Sequence, residues 1–140
     1  MRKTLCLSAI LILATLGMAF APQAVIELNA TSFKLGEQFI AVFRLNEPIE
    51  QEFTVYAVCV TPKGTMLNVT TLDKALKPVA SNVNGLPAGF TATLARPVPK
   101  IKGEGMGECE IIVAFFDPSK PITGRPDAFL EASAKYTVTK

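Results

Sequence analysis

The spacing of apolar residues constrains this chain most. From residue 25 onward no stretch repeats with the 3.6-residue period of a helix. Short apolar segments, alternating or continuous, recur instead between Pro, Gly, Asn and Asp, and that is how strands joined by turns are written. The pattern predicts strands over about 24–29, 38–45, 52–60, 65–72, 90–94, 108–116 and 129–138. In the second, Phe39, Ala41, Phe43 and Leu45 share one face, and Ile40, Val42 and Arg44 share the other. Thr61-Pro62-Lys63-Gly64 has Pro second and Gly fourth, as a type I turn favours. In Arg96-Pro97-Val98-Pro99 each proline keeps its predecessor extended. The segment 73–89 is irregular, with room for one helical turn at Ala75 and Leu76.

About seven strands in roughly 115 residues imply an all-β fold, an immunoglobulin-like antiparallel β-sandwich, with a small barrel as the alternative. A chain of 140 residues supplies one such domain. The stretch Phe33-Lys-Leu-Gly-Glu-Gln-Phe39, followed by Phe53-Thr-Val-Tyr56 and Val60-Thr-Pro-Lys-Gly64, resembles immunoglobulin-like modules of secreted bacterial proteins. The resemblance covers residues 33–64 and, loosely, the strand at 108–116. It implies an adhesive, structural or spacer unit with no shared active site, and fold alone does not decide function.

The chain opens with Met1-Arg2-Lys3, an apolar run from Leu5 to Leu16, and the small-residue stretch Gly17-Met18-Ala19-Phe20-Ala21. These are the three parts of a secretory signal peptide, and about 12 apolar residues are too few to span a bilayer. Residues 1–21 are read as the signal, with cleavage somewhere in 19–24, and 22–140 as the domain. The product is exported, periplasmic or at the cell surface. Cys6 lies inside the apolar run, away from any cleavage point, so it is not a lipid-anchor cysteine. Arg2 and Lys3 leave with the signal, so Lys plus Arg falls from 14 to 12 against 12 Asp plus Glu. A mature chain near neutrality has no basic surplus for nucleic acid and needs no membrane insertion.

The sequence has no His and no Trp. The first absence removes imidazole general bases, His-based triads and His-ligated metals. No activated nucleophile or metal-ligand spacing appears, so neither an enzyme, a cofactor nor a metal is expected. Two cysteines remain after cleavage, Cys59 and Cys109, at the end of the third strand and the start of the penultimate one. In an oxidising compartment such a pair reads as a disulfide. It would close a loop of about 50 residues, for about 4 kcal/mol in the loop-entropy model. Two buried free thiols are the alternative.

Other motifs have plain explanations beside the functional ones. Asn29-Ala30-Thr31 and Asn68-Val69-Thr70 match a glycosylation pattern that arises often by chance. Gly103-Glu-Gly-Met-Gly107 lacks the Lys-Ser/Thr and the helix of a phosphate loop, and reads as a flexible loop entering a strand. Glu47, Glu50 and Glu52 read as a solvated acidic edge rather than a Ca²⁺ site. Asn46, Pro48, Gly105, Gly107, Arg125 and Pro126 fall in loops in the order used by chagasin-like inhibitors of cysteine proteases, although Asp127 stands where that family has Trp.

The third and penultimate strands are apolar on both faces, whereas a sandwich strand normally has one wet face. Placed side by side they would gather Tyr56, Val58, Val60, Ile112, Ala114 and Phe116 on one outer patch. Either the segments 73–89 and 95–107 cover it, or it is an interaction surface. The expected function is a non-catalytic binding or structural module, an accessory subunit whose partner is another protein or a second copy. A carbohydrate-binding module is the main alternative, weakened by the lack of Trp and the presence of only two Tyr. A protease inhibitor comes next.

Overall fold

The computed structural model describes residues 22–140. The signal segment and Cys6 lie outside the described residues. Nine strands run in chain order: β1 (Ala24–Leu28), β2 (Ser32–Lys34), β3 (Gln38–Leu45), β4 (Phe53–Val60), β5 (Met66–Asn68), β6 (Ala80–Val83), β7 (Thr91–Pro97), β8 (Gly107–Phe116) and β9 (Leu130–Thr139). One 3₁₀ turn, Arg125–Asp127, precedes β9. No helix among the described residues is long and apolar enough to cross a membrane.

The strands form two sheets. The smaller has the order β1-β3-β7 and the larger the order β2-β9-β8-β4-β5, with β6 also pairing on β4. All pairings are antiparallel except β2, which runs parallel to the end of β9. The chain is therefore all-β and two-layered, with more strands than the seven expected. Two short ones were not foreseen. β2 is only Ser32–Lys34, anchored by buried Phe33. β6 sits in the irregular segment, where Asn82 takes a positive φ. Periodicity cannot register three or four residues. No helical turn forms at Ala75 and Leu76.

Alternation places the core. Phe39, Ala41, Phe43 and Leu45 of β3 are all buried, and they face inner residues of β4, β8 and β9. At one end of the sandwich Phe43, Phe53 and Phe115 pack with ring centroids 5.1–5.7 Å apart. Each such burial is worth about 1.5–3 kcal/mol. The loop after β3 is closed there by the reciprocal bonds Ile49 N–H to Leu86 O and Leu86 N–H to Ile49 O, both 2.9 Å. Gly85 makes that closure possible: its φ is +99°, and a Cβ would lie 2.5 Å from Ile49 O.

Candidate functional site

The larger sheet separates two hollows, and both involve residues singled out in the sequence. On β4 and β8, Tyr56 is paired with Ala114 and Val58 with Ile112. Val58, Ile112, Ala114 and Phe116 form a buried apolar cluster on the outer face, with Tyr56 and Val60 at its margin. Tyr56 meets Phe116 edge-on at 5.6 Å. All six expected residues are thus brought together.

Their cover is not the expected one. Segment 117–129 folds back over the sheet and sets Ala128 against the cluster. Arg125 pins it, bonding Glu110 of β8 and Glu131 of β9. These carboxylates raise the guanidinium's proton affinity further. The Asp127 carboxylate accepts bonds from Thr123 N–H and Oγ1, and these hold its pKa below the usual range. Of the expected covers, 73–89 supplies only Leu76 to one wall. A groove of about 280 Å³ remains, lined by Tyr56, Met66, Leu76, Ile112, Phe116 and Ile122 among others. Met66, Leu76 and Ile122 are 38–41% exposed, unusual for large apolar side chains.

The other hollow lies between the sheets at the opposite end from the phenylalanine cluster. Its volume is about 290 Å³, and its walls include Phe39, Leu94, Val98, Ile111 and Val138. Cys59, Cys109, Tyr136 and Arg96 also reach it, and the expected second cover, 95–107, closes it instead of the outer patch. Gly103, Gly105 and Gly107 all have positive φ in this loop. Glu104 ties the loop down, accepting a 2.9 Å bond from Thr61 Oγ1. Bonds from Thr65 and Thr61 hold its carboxyl pKa low.

The cysteines are neighbours but are not bonded: both are free and buried. The expected disulfide is not formed, and the register gives the reason. Cys59 stands opposite Ile111, and Cys109 stands opposite Tyr136. The two thiols are therefore diagonal across β4 and β8. Diagonal positions lie ~7–8 Å apart, beyond the ~4.4–6.8 Å between Cα atoms that a disulfide usually spans. The Tyr136 hydroxyl stands 3.2 Å from Cys59 Sγ instead. Burial raises the Cys59 thiol and pushes Cys109 up to about 11, so both are protonated at neutral pH. Burial raises the Tyr136 phenol as well. In their protonated form the two thiols offer hydrogen bonds and polarizable surface to the cavity.

The remaining motifs resolve locally. Asn29 bonds Gln38 O and Ile40 N–H, and buried Asn68 bonds Ala75 O and Lys77 N–H, so both asparagines organise turns. Asn46 and Pro48 lie at the phenylalanine end, near β1, whereas Gly105 and Gly107 lie at the cavity end. Arg125 sits over the sheet face, so the three inhibitor-like loops do not meet. Among the described residues no three His, Cys, Asp or Glu side chains gather as metal ligands do. Sequence reasoning missed Arg96. Its signal was the alternation Leu94-x-Arg96-x-Val98, which puts a cation on an apolar face.

No protein-family model matches the chain, and no curated protein matches it. Thirteen chains of known structure do. One is the Pseudomonas fluorescens alkylpurine DNA glycosylase AlkC bound to DNA containing an abasic site analog, at 15% identity and TM-score 0.45. The match covers 91% of this chain and 33% of that one. Another is the native conformation of E. coli alpha-2-macroglobulin, at 18% identity and TM-score 0.37, covering 85% and 7% of the respective chains. The chain thus spans about a third of the first and a small part of the second. Both likenesses are distant.

Proposed function

We propose that the mature chain is a non-catalytic, exported binding module of the immunoglobulin-like kind, an accessory subunit that grips another envelope or extracellular protein through the outer groove. The observation that carries this reading is the trio Met66, Leu76 and Ile122, exposed around a floor of Tyr56, Ile112 and Phe116. A groove of about 280 Å³ has room for one or two large apolar side chains. The matching partner is a protein segment presenting such residues in a polar frame, the usual anatomy of a transient interface. Two competing readings have less support. Tyr136 is packed between the sheets against Phe33 and Phe39, and Tyr56 is edge-on to Phe116, so neither offers a flat face to a sugar ring. The loops that would make an inhibitor are spread over the molecule.

The test is mild crosslinking of the tagged chain in its own envelope fraction, followed by pull-down, with Leu76→Asp and Ile122→Asp in parallel. Both positions are exposed, so the melting temperature should hold. Recovery of one stoichiometric protein, reduced at least tenfold by either variant, supports the reading. Recovery of the chain alone, or equal recovery with the variants, overturns it.

A further inference from the structure

The cavity between the sheets raises a separate question, because one of its walls carries Arg96, a cation that makes no salt bridge among the described residues. Arg96 stands opposite Phe39 in the β3–β7 register, so its side chain starts from the inner face. Its Nη1 donates to Val69 O at 2.6 Å. Among the described residues it makes no salt bridge, whereas Arg44 and Arg125 both do. No buried side-chain nitrogen or oxygen there lacks a partner. The remaining Arg96 donors are therefore accessible to solvent, on a residue that lines the cavity. Cys59 and Tyr136 line the same cavity as Arg96. An inward-pointing charge on an edge strand also discourages edge-to-edge pairing, but that role does not call for a hollow beside it.

Three further features fit a ligand. The walls are mostly apolar, and the volume of about 290 Å³ is roughly twice that of the ~150 Å³ apolar cavity known to accept benzene. The charged side chains at the cavity are Arg96, Lys100 and Glu104, and their sum is one positive charge. The loop over the opening turns on glycines and is latched by Glu104 on Thr61. Leu72, also in the wall, is held at φ +61°, a conformation that bulky residues adopt under constraint and that recurs at ligand clamps.

We propose that this cavity is a binding site for a small amphipathic anion, a carboxylate with an apolar tail of about eight to ten carbons or its aromatic equivalent. The tail lies between Phe39, Leu94 and Ile111, and the carboxylate meets the free donors of Arg96. The proposal is independent of the outer groove and of any protein partner.

Sodium decanoate is the probe, with 1-decanol as its uncharged counterpart, on the full folded mature chain. Binding is read by the rise in melting temperature and by tyrosine fluorescence, with Tyr136→Phe assigning the signal; the chain has no Trp to mask it. Decanoate should bind the native chain. Arg96→Met, which keeps the apolar stem, should weaken decanoate at least tenfold and leave decanol within about twofold. Leu94→Trp, which fills the space and is read by melting temperature alone because its indole masks tyrosine emission, should abolish both, and Ile122→Asp in the outer groove should change neither. The proposal is overturned if decanoate does not bind, if Arg96→Met weakens both ligands alike or neither, or if Ile122→Asp rather than Leu94→Trp removes binding. Should Leu94→Trp fail to fold, Val69→Phe at the same wall replaces it with the same expectation.

Discussion

The two hollows lie on opposite faces of the same pair of strands. Along β4 the inner side chains are Phe53, Val55, Ala57 and Cys59, and the outer ones Thr54, Tyr56, Val58 and Val60. Along β8 Cys109, Ile111, Val113 and Phe115 face inward, and Glu110, Ile112, Ala114 and Phe116 outward. The inner face is sealed by a second sheet and is hollow only where its residues shrink from Phe53 and Phe115 to Cys59 and Cys109. The outer face has no second sheet. It is covered by one irregular segment held by a surface ion cluster, and the hollow lies where that segment stops. Cavities left by small side chains under a sheet suit small ligands, and gaps beside a loop suit another chain. Two strands that are apolar on both faces produce both.

The largest effects separate a sheet-covered face from a loop-covered one. Phe115→Ala on the inner side should cost about 3–5 kcal/mol, and Ile112→Ala on the outer side about 2–4 kcal/mol. Urea unfolding of both measures the difference. Both residues are only 1% exposed, so a difference beyond that expected from the larger volume removed at Phe115 reports the kind of cover. An Ile112→Ala cost below about 0.5 kcal/mol, the scale of ordinary surface changes, would show that segment 117–129 does not pack as a core.

Next in size is the pin of that cover. Arg125→Ala should cost about 1 kcal/mol at low salt, since its partners are partly exposed and screened. It also leaves Glu110 and Glu131 without their shared cation. The loss should shrink with added salt, and binding of a hydrophobic dye to the outer face should rise severalfold. A loss unchanged at high salt would place the contribution of Arg125 in packing rather than charge.

The cavity loop should respond to acid instead. The bonds from Thr65 and Thr61 depress the Glu104 pKa below its ordinary 4.5. A depressed folded-state pKa gives a contribution that is complete above the unfolded value and is lost as pH falls through the folded one. Hydrogen exchange at Gly103–Gly105, corrected for intrinsic rates, should therefore be flat from pH 7 to about 4.5 and show deprotection below it. Glu104→Gln should show the loosened loop already at neutral pH. Equal protection of wild type and Glu104→Gln would dismiss the latch.

Much of this was legible in the sequence. The strands β3, β4, β8 and β9 were read within a residue or so, because eight to ten residues, alternating in β3 and β9 and apolar on both faces in β4 and β8, carry a strong signal. The outer patch followed from the two apolar faces of β4 and β8. The covers were exchanged because turn residues tell where a chain leaves a sheet, not which face it crosses next. Segment 117–129 returns to the outer face through an ion cluster formed by Arg125 with Glu110 and Glu131, separated by 15 and 6 residues, and no local pattern encodes that. Arg96 was visible in the alternation, but an inward cation gains meaning only once the space beside it is known.

The smallest expected effect bears on the cysteines. A bond closing a loop of about 50 residues would add about 4 kcal/mol, and for a domain of this size that is worth well over ten degrees of melting temperature. With Cys59 opposite Ile111 and Cys109 opposite Tyr136, the thiols are two residues out of register with each other. Closing them would require β8 to slide along β4. A slip of one residue would turn the whole outer cluster inward, and a slip of two would break the pairing of Val58 with Ile112. Two buried faces thus oppose the bond more strongly than one would. Adding reductant to the mature chain should therefore move its melting temperature by less than about a degree, with both thiols alkylated only after unfolding. A drop of ten degrees would mean that β8 has shifted to join its cysteine to that of β4, and the difference between the two faces would have to be drawn again from the new register.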